Sequence, residues 1–162
     1  MDDFPYRSHT NTELQAEYKK LENWTHDPIE YRLKKNNIGY KCSNIFFQYE
    51  RMNTPSQKKR SCVHYWDTNK AKIIEYNRKK KKQDLFSDIQ FLYHPPGQFA
   101  PVLAIQIYRY FKATKILDLF AGWGDRCLAA MALGIDYTGI DSNKNLEQAY
   151  TRLINYYPTK SN

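Results

Sequence analysis

The chain has no long apolar run. No window approaches the roughly 18 apolar residues that a membrane-spanning helix needs, so no membrane helix and no membrane partner are expected. A secretory start is also missing: MDDFPYRSHTNTE opens acidic and carries no apolar stretch, which is not the pattern of a signal peptide. An intracellular protein is therefore expected. Cysteine is sparse, with Cys42, Cys62 and Cys127 odd in number and widely spaced. No disulfide framework follows from that spacing, and each reads as a reduced thiol in a small apolar position. His9, His26, His64 and His94 are scattered and pair with no cysteine at ligand spacing, so no metal site is expected. There is no internal repeat and no Gly-rich Walker loop for a nucleoside triphosphate.

What is present is enough for a folded domain. The 162 residues are 41% hydrophobic and 15% aromatic, a length and composition able to bury a core. The mean hydropathy of -0.80 marks a very polar surface. The formal charge is +8, and its location says more than its size. Between Arg51 and Lys82 there are 11 Lys/Arg against 2 Asp/Glu, while the rest of the chain holds 14 basic and 15 acidic residues. The whole excess sits in one central segment, with Lys58, Lys59, Arg60 and the run Arg78, Lys79, Lys80, Lys81 and Lys82. Such a segment is either a solvated lysine-rich surface or a site for a polyanion, since each phosphate neutralised releases counterions. Nucleic acid is the expected partner of these eight residues. Tyr65, Trp66, Phe46 and Phe47 nearby either stack on bases or form a helical core.

Residues 1–96 read as a mostly helical, basic region. Leu14, Tyr18 and Leu21 have helical spacing, with Thr12 and Gln15 as a capping box. Asp27, Pro28 and Glu30 mark a second start, and Gly39 its stop. The stretch ending before Pro55 is a strand or a helix, and Trp66, Ile73, Ile74 and Tyr76 belong to a helix with one buried face. The chain is punctuated near residues 83–96, where Pro95, Pro96 and Gly97 fall.

From residue 97 the pattern changes. FAPVLAIQIYRYF predicts a buried helix and TKILDLF a strand covered on both faces. GDRCLAAMALG predicts a helix closed by Gly134, DYTGID a second strand, and NLEQAYTRLINYY a last helix. That order opens a doubly wound α/β sheet. Two parallel strands do not make such a sheet. The others must come from the N-terminal half, a partner subunit or a further segment, the last being the expectation here.

In an open α/β sheet the ligand lies at the carboxyl ends of the strands. The turn there is AGWG, whose Gly122 and Gly124 permit a sharp bend and a close approach. The next strand ends at Asp141, where a carboxylate can accept ribose hydroxyls. A dinucleotide loop wants a third small residue, but Cys127 stands there, and Asp125 puts charge where a pyrophosphate would lie. S-adenosylmethionine has no phosphates and is cationic, which suits Asp118, Asp125 and Asp141 better. A tight turn that only packs a strand to a helix would look similar, and Asp125 suits a helix cap equally well.

QFAPVLAIQIYRYF, KILDLFAGWGDRCLAA and YTGIDSNKNLEQAY resemble the DNA methyltransferases encoded by large DNA viruses and phages. The likeness covers about Gln98 to Tyr150 and extends more loosely upstream. It implies a Rossmann-like class I methyltransferase fold, partial here with its first βαβ unit, and S-adenosylmethionine as cofactor. It implies that Asp118, Phe120, Ala121, Gly122 and Gly124 line the methionine side, with Asp141 at the ribose and Ser142 beside the adenine. Gln98 and Phe99 would approach from the leading helix. Residues 97–162 would form this cofactor-binding part.

Amino-group methylation of a base also needs an Asp, Asn or Ser followed by Pro-Pro and an aromatic residue, to hold the amine and stack on a flipped base. Nothing after Asp141 fits, and the only Pro-Pro pair, in HPPG, has the wrong neighbours. The expectation is a DNA methyltransferase of which this chain carries the cofactor half, with its catalytic residues unknown and no catalysis expected from the chain alone. The alternative is an inactive nucleic-acid-binding or virion structural protein.

Overall fold

The computed structural model describes residues 3–25, 33–56, 60–81 and 84–158. Seven α-helices occur there: α1 Asn11–Glu22, α2 Tyr40–Asn53, α3 Cys62–Arg78, α4 Leu85–Tyr93, α5 Pro101–Tyr110, α6 Asp125–Leu133 and α7 Glu147–Tyr156. Two short strands, β1 Lys115–Asp118 and β2 Asp136–Gly139, flank α6 in sequence. They pair in parallel, from Lys115 against Asp136 to Asp118 against Gly139, as a two-stranded sheet.

This corrects the expected fold class. A Rossmann-like, doubly wound α/β fold of the class I methyltransferase type is not present: the described residues are mainly helical, and β1 and β2 are the only strands among them. The physical reason is that the described residues upstream of residue 97, including the stretch before Pro55 that was open to either reading, form α1 to α4 and supply no further strand. Nor is β1 covered on both faces. Leu117 is 66% exposed, against the double burial usual for a parallel sheet.

The chain forms two compact units. One contains Met1–Ser8 and Gln48–Gly97; the other contains His9–Phe47 and Gln98–Asn162. Residues 9–47, which the sequence placed with the basic region, thus pack with the C-terminal part. The first unit has a core of Phe4, Met52, Trp66, Ile73, Phe86 and Ile89. Asp84 caps α4 by accepting from the N–H of Ser87, and His94 ends it with a left-handed φ of 46° ahead of Pro95 and Pro96.

In the second unit α1 begins two residues earlier than its sequence signal. Thr10, not Thr12, is the cap, and Glu13, not Gln15, closes the box by accepting from the N–H of Thr10 at 2.8 Å. Leu14, Tyr18 and Leu21 are buried as their spacing predicts. Asp27, Pro28 and Glu30 lie outside the described residues, and 33–37 are not helical. Gly39 does not stop a helix. It precedes α2 with φ 90°, and a Cβ there would come within 3.0 Å of Pro101 and 3.1 Å of Leu21. Tyr18 stacks on Tyr157 at 4.5 Å, which ties α1 to the end of α7. Ile105, Leu128 and Leu153 fill the centre of this core.

All three cysteines are buried and unpaired. Burial pushes the Cys127 thiol up to about 12 and those of Cys42 and Cys62 up to about 11. None is an activated nucleophile.

Candidate functional site

The residues that the sequence singled out around the AGWG turn all belong to the second unit. Beyond β1 and β2 the parallel ladder continues for one more step. Ile140 N–H donates to the carbonyl of Asp118 at 2.8 Å and Ala121 N–H to that of Ile140 at 2.9 Å. The ends of both strands are therefore locked at one level, and the loop leaves from there.

Gly122 is clamped from two sides. Its N–H donates to Asp141 Oδ2 at 2.7 Å, and its carbonyl accepts from the Tyr150 hydroxyl at 3.0 Å. Asp141 Oδ1 accepts in turn from the N–H of Asn143 at 2.9 Å. Each oxygen keeps further lone pairs for a ligand. A first-glycine N–H already committed to a carboxylate is a poor seat for a pyrophosphate, whose cradle depends on free N–H groups.

The two glycines have different jobs. Gly122 has φ 62°, and a Cβ there would meet only the Phe120 carbonyl at 3.7 Å and Arg126 Nη2 at 4.0 Å. Its open side can admit a ligand. Gly124 has φ 76°, but its missing side chain is replaced by protein: a Cβ would lie 2.4 Å from Cε2 of Phe47. That ring is fully buried and packs edge-on against Tyr150 at 4.8 Å. Gly124 serves packing, where the sequence suggested ligand approach.

Asp118 is held by four donors. Arg126 Nε donates at 2.6 Å and its Nη2 at 3.3 Å; the Tyr137 hydroxyl donates at 2.6 Å and the Phe120 N–H at 3.2 Å. Burial opposes its ionisation, but the bonds from Arg126 and Tyr137 outweigh burial and hold the carboxyl below its usual range. Burial and the bond to Asp118 push the Tyr137 hydroxyl upward, so it stays a donor. Arg126 Nη2 also donates to the carbonyl of Phe120, and its guanidinium lies 5.3 Å from the ring centre of Phe99.

Asp125, the first residue of α6, is turned away from solvent. It is 3% exposed, accepts from the Ser43 hydroxyl at 2.5 Å and has Gln98 Nε2 at 3.5 Å. No side-chain cap closes α6. Gln98 and Phe99 thus reach the loop through Asp125 and Arg126. Phe120 is 81% exposed and Ala121 is buried. Ser142 is exposed.

A cavity of about 440 Å³ opens beside this loop, within the size range of small-molecule sites. Ala121, Gly139, Asp141, Asn143, Leu146 and Tyr150 are among its walls. Tyr150, Tyr137 and Arg126 are the residues that sequence reasoning left without a role. Arg126 lay inside the GWGDR motif and Tyr150 on the apolar face of the last helix, whereas nothing local marked Tyr137, and the bonds of both tyrosines to the loop depend on a fold-level meeting.

The basic segment lies in the other unit. Arg60, Arg78, Lys79 and Lys81 are exposed. Lys80 is engaged internally, with Asp88 at 2.5 Å and the Tyr76 ring at 4.4 Å, and Lys79 pairs with Glu75 at 2.8 Å. Lys58, Lys59 and Lys82 lie outside the described residues. Trp66 is core, while Tyr65 stacks on Tyr93 at 4.4 Å. Among the described residues no cluster of His, Cys, Asp and Glu could hold a metal ion, and no helix is long and apolar enough to cross a membrane.

Comparison with protein-family models, with curated proteins and with solved structures finds no match in any of the three.

Proposed function

We propose that the second unit binds S-adenosylmethionine at the ends of β1 and β2, and that the chain serves DNA methylation by holding the methyl donor. The observation that carries this reading is the Gly122 turn fixed by Asp141 and Tyr150 at the rim of a ligand-sized cavity. An acid on the first glycine N–H disfavours phosphates and suits a cationic, phosphate-free nucleoside. Asp141 would hold the ribose hydroxyls, with Ala121, Leu146 and Tyr150 beside the adenine. Gly122, Phe120, Asp118 and Arg126 would border the methionine end. When bound, the cofactor supplies an electrophilic methyl group. This chain's residues bind and orient it, and the residues that present the base come from elsewhere, because no Pro-Pro-aromatic motif follows Asp141. The test is a thermal melt: S-adenosylmethionine should raise the midpoint and NAD should not, since only a ligand of the native state stabilises it. A rise with NAD alone would remove the reading.

DNA is the proposed partner of the first unit, supported by the exposed Arg60, Arg78, Lys79 and Lys81. If these four cations each neutralise one phosphate, affinity for duplex DNA should fall about a hundredfold between 50 and 200 mM salt. Replacing Arg78 and Lys81 by glutamate should flatten that slope in an anisotropy titration. Binding that ignores salt would take DNA out of the proposal. The missing acceptor motif also favours a second reading, a nucleic-acid-binding protein without catalysis; DNA binding without any response to S-adenosylmethionine would select it.

A further inference from the structure

We propose that Arg126 reads the carboxylate at the amino-acid end of the ligand, and that Asp118 is the residue that positions it. The inference rests on the S-adenosylmethionine reading above. It starts from the number of donors on Asp118. Two carboxylate oxygens offer about four acceptor sites, and four donors already occupy them: Nε and Nη2 of Arg126, the Tyr137 hydroxyl and the Phe120 N–H. The side chain is only 11% exposed. A ligand ammonium would have to displace one of these bonds to reach Asp118. The carboxylate is instead arranged to hold a guanidinium.

Arg126 is arranged to be used. Its Nε and Nη2 are fixed by Asp118 and by the Phe120 carbonyl, and the ring of Phe99 lies near its guanidinium. Its Nη1 makes no hydrogen bond among the described residues, and the side chain is 27% exposed. It also stands where a ligand can arrive. Nη2 is one of the two atoms bordering the open side of Gly122, the other being the Phe120 carbonyl. A guanidinium with its geometry fixed in advance gives directional recognition of a carboxylate at little cost in side-chain entropy. The ligand carries one anion, and Arg126 is the cation that borders the open side of Gly122, while Lys144 lies in the cavity wall.

Calorimetry with S-adenosylmethionine and its decarboxylated analogue separates the possibilities. The wild type should favour the carboxylate-bearing ligand by about tenfold or more, the worth of one charge-assisted hydrogen bond. Arg126→Gln should erase that preference, weakening S-adenosylmethionine by about tenfold more than the analogue. Arg126→Lys, which keeps the charge but loses the planar fork, should fall between. Equal wild-type affinities, or an equal loss of both ligands in Arg126→Gln, would overturn the proposal while leaving the cofactor reading in place. Binding of neither ligand by the folded wild type would overturn both. The wild-type preference needs no variant, so a misfolded Arg126→Gln leaves the proposal testable.

Discussion

Gly124→Ala is expected to destabilise the second unit by about 2–5 kcal/mol, combining the strain of a left-handed residue, roughly 1–2 kcal/mol, with overpacking of roughly 1–3 kcal/mol. The backbone holds φ 76° at that position, which an alanine adopts only with strain. The added methyl would also lie 2.4 Å from Cε2 and 2.7 Å from Cζ of Phe47. Phe47 is fully buried against Tyr150, so the ring has nowhere to swing. Gly122→Ala is the control. It carries similar strain at φ 62° but meets nothing closer than 3.7 Å, so about 1–2 kcal/mol is expected. Denaturant midpoints for the two variants decide the matter, and Phe47→Leu should recover part of the Gly124→Ala loss. Equal losses for the two glycines would show that Gly124 is not packed as described.

Asp141→Ala should weaken S-adenosylmethionine by about ten- to a hundredfold, since hydrogen bonds to a charged group are worth roughly 1.5–3 kcal/mol each. Two effects combine. The variant loses the acceptor proposed for the ribose, and it releases the N–H groups of Gly122 and Asn143 that Asp141 now fixes. Asp141→Asn should be milder, because its amide keeps one accepting oxygen but cannot accept on both sides. Tyr150→Phe isolates the loop from the ligand. It removes the hydroxyl that bonds the Gly122 carbonyl and the Gly124 backbone while keeping the ring, and its effect on affinity should be smaller than that of Asp141→Ala.

Some local elements were legible from short-range signals, whereas the Thr12 cap and the Gly39 stop were misread. Gly134 ends α6 in the left-handed conformation, as a terminal glycine should. Pro101 opens α5, and Leu14, Tyr18 and Leu21 face the core at one helical period. The α/β class was read into the sequence wrongly, because two strand-like segments say nothing about how many others exist. The chain builds its core from helices, including α1, whose Tyr18 meets Tyr157 across most of the sequence. The site was half legible. Glycines and acids in FAGWGD and GID announced a loop, and the structure gathers Gln98, Phe99, Asp118, Gly122 and Asp141 around it. The division of labour was hidden. That Gly124 makes room for Phe47, and that Asp125 bonds Ser43, depends on side chains more than 70 residues away, which no local spacing encodes.

The central claim is that the Gly122 turn and Asp141 hold a phosphate-free cationic nucleoside. A calorimetric titration of the full chain with S-adenosylmethionine, on the wild type and on Asp141→Ala, tests it most directly. Saturable one-site binding by the wild type, weakened by at least about tenfold in a variant that still melts cooperatively, is the predicted result. Equal binding by both proteins, or no heat from the folded wild type, would contradict it.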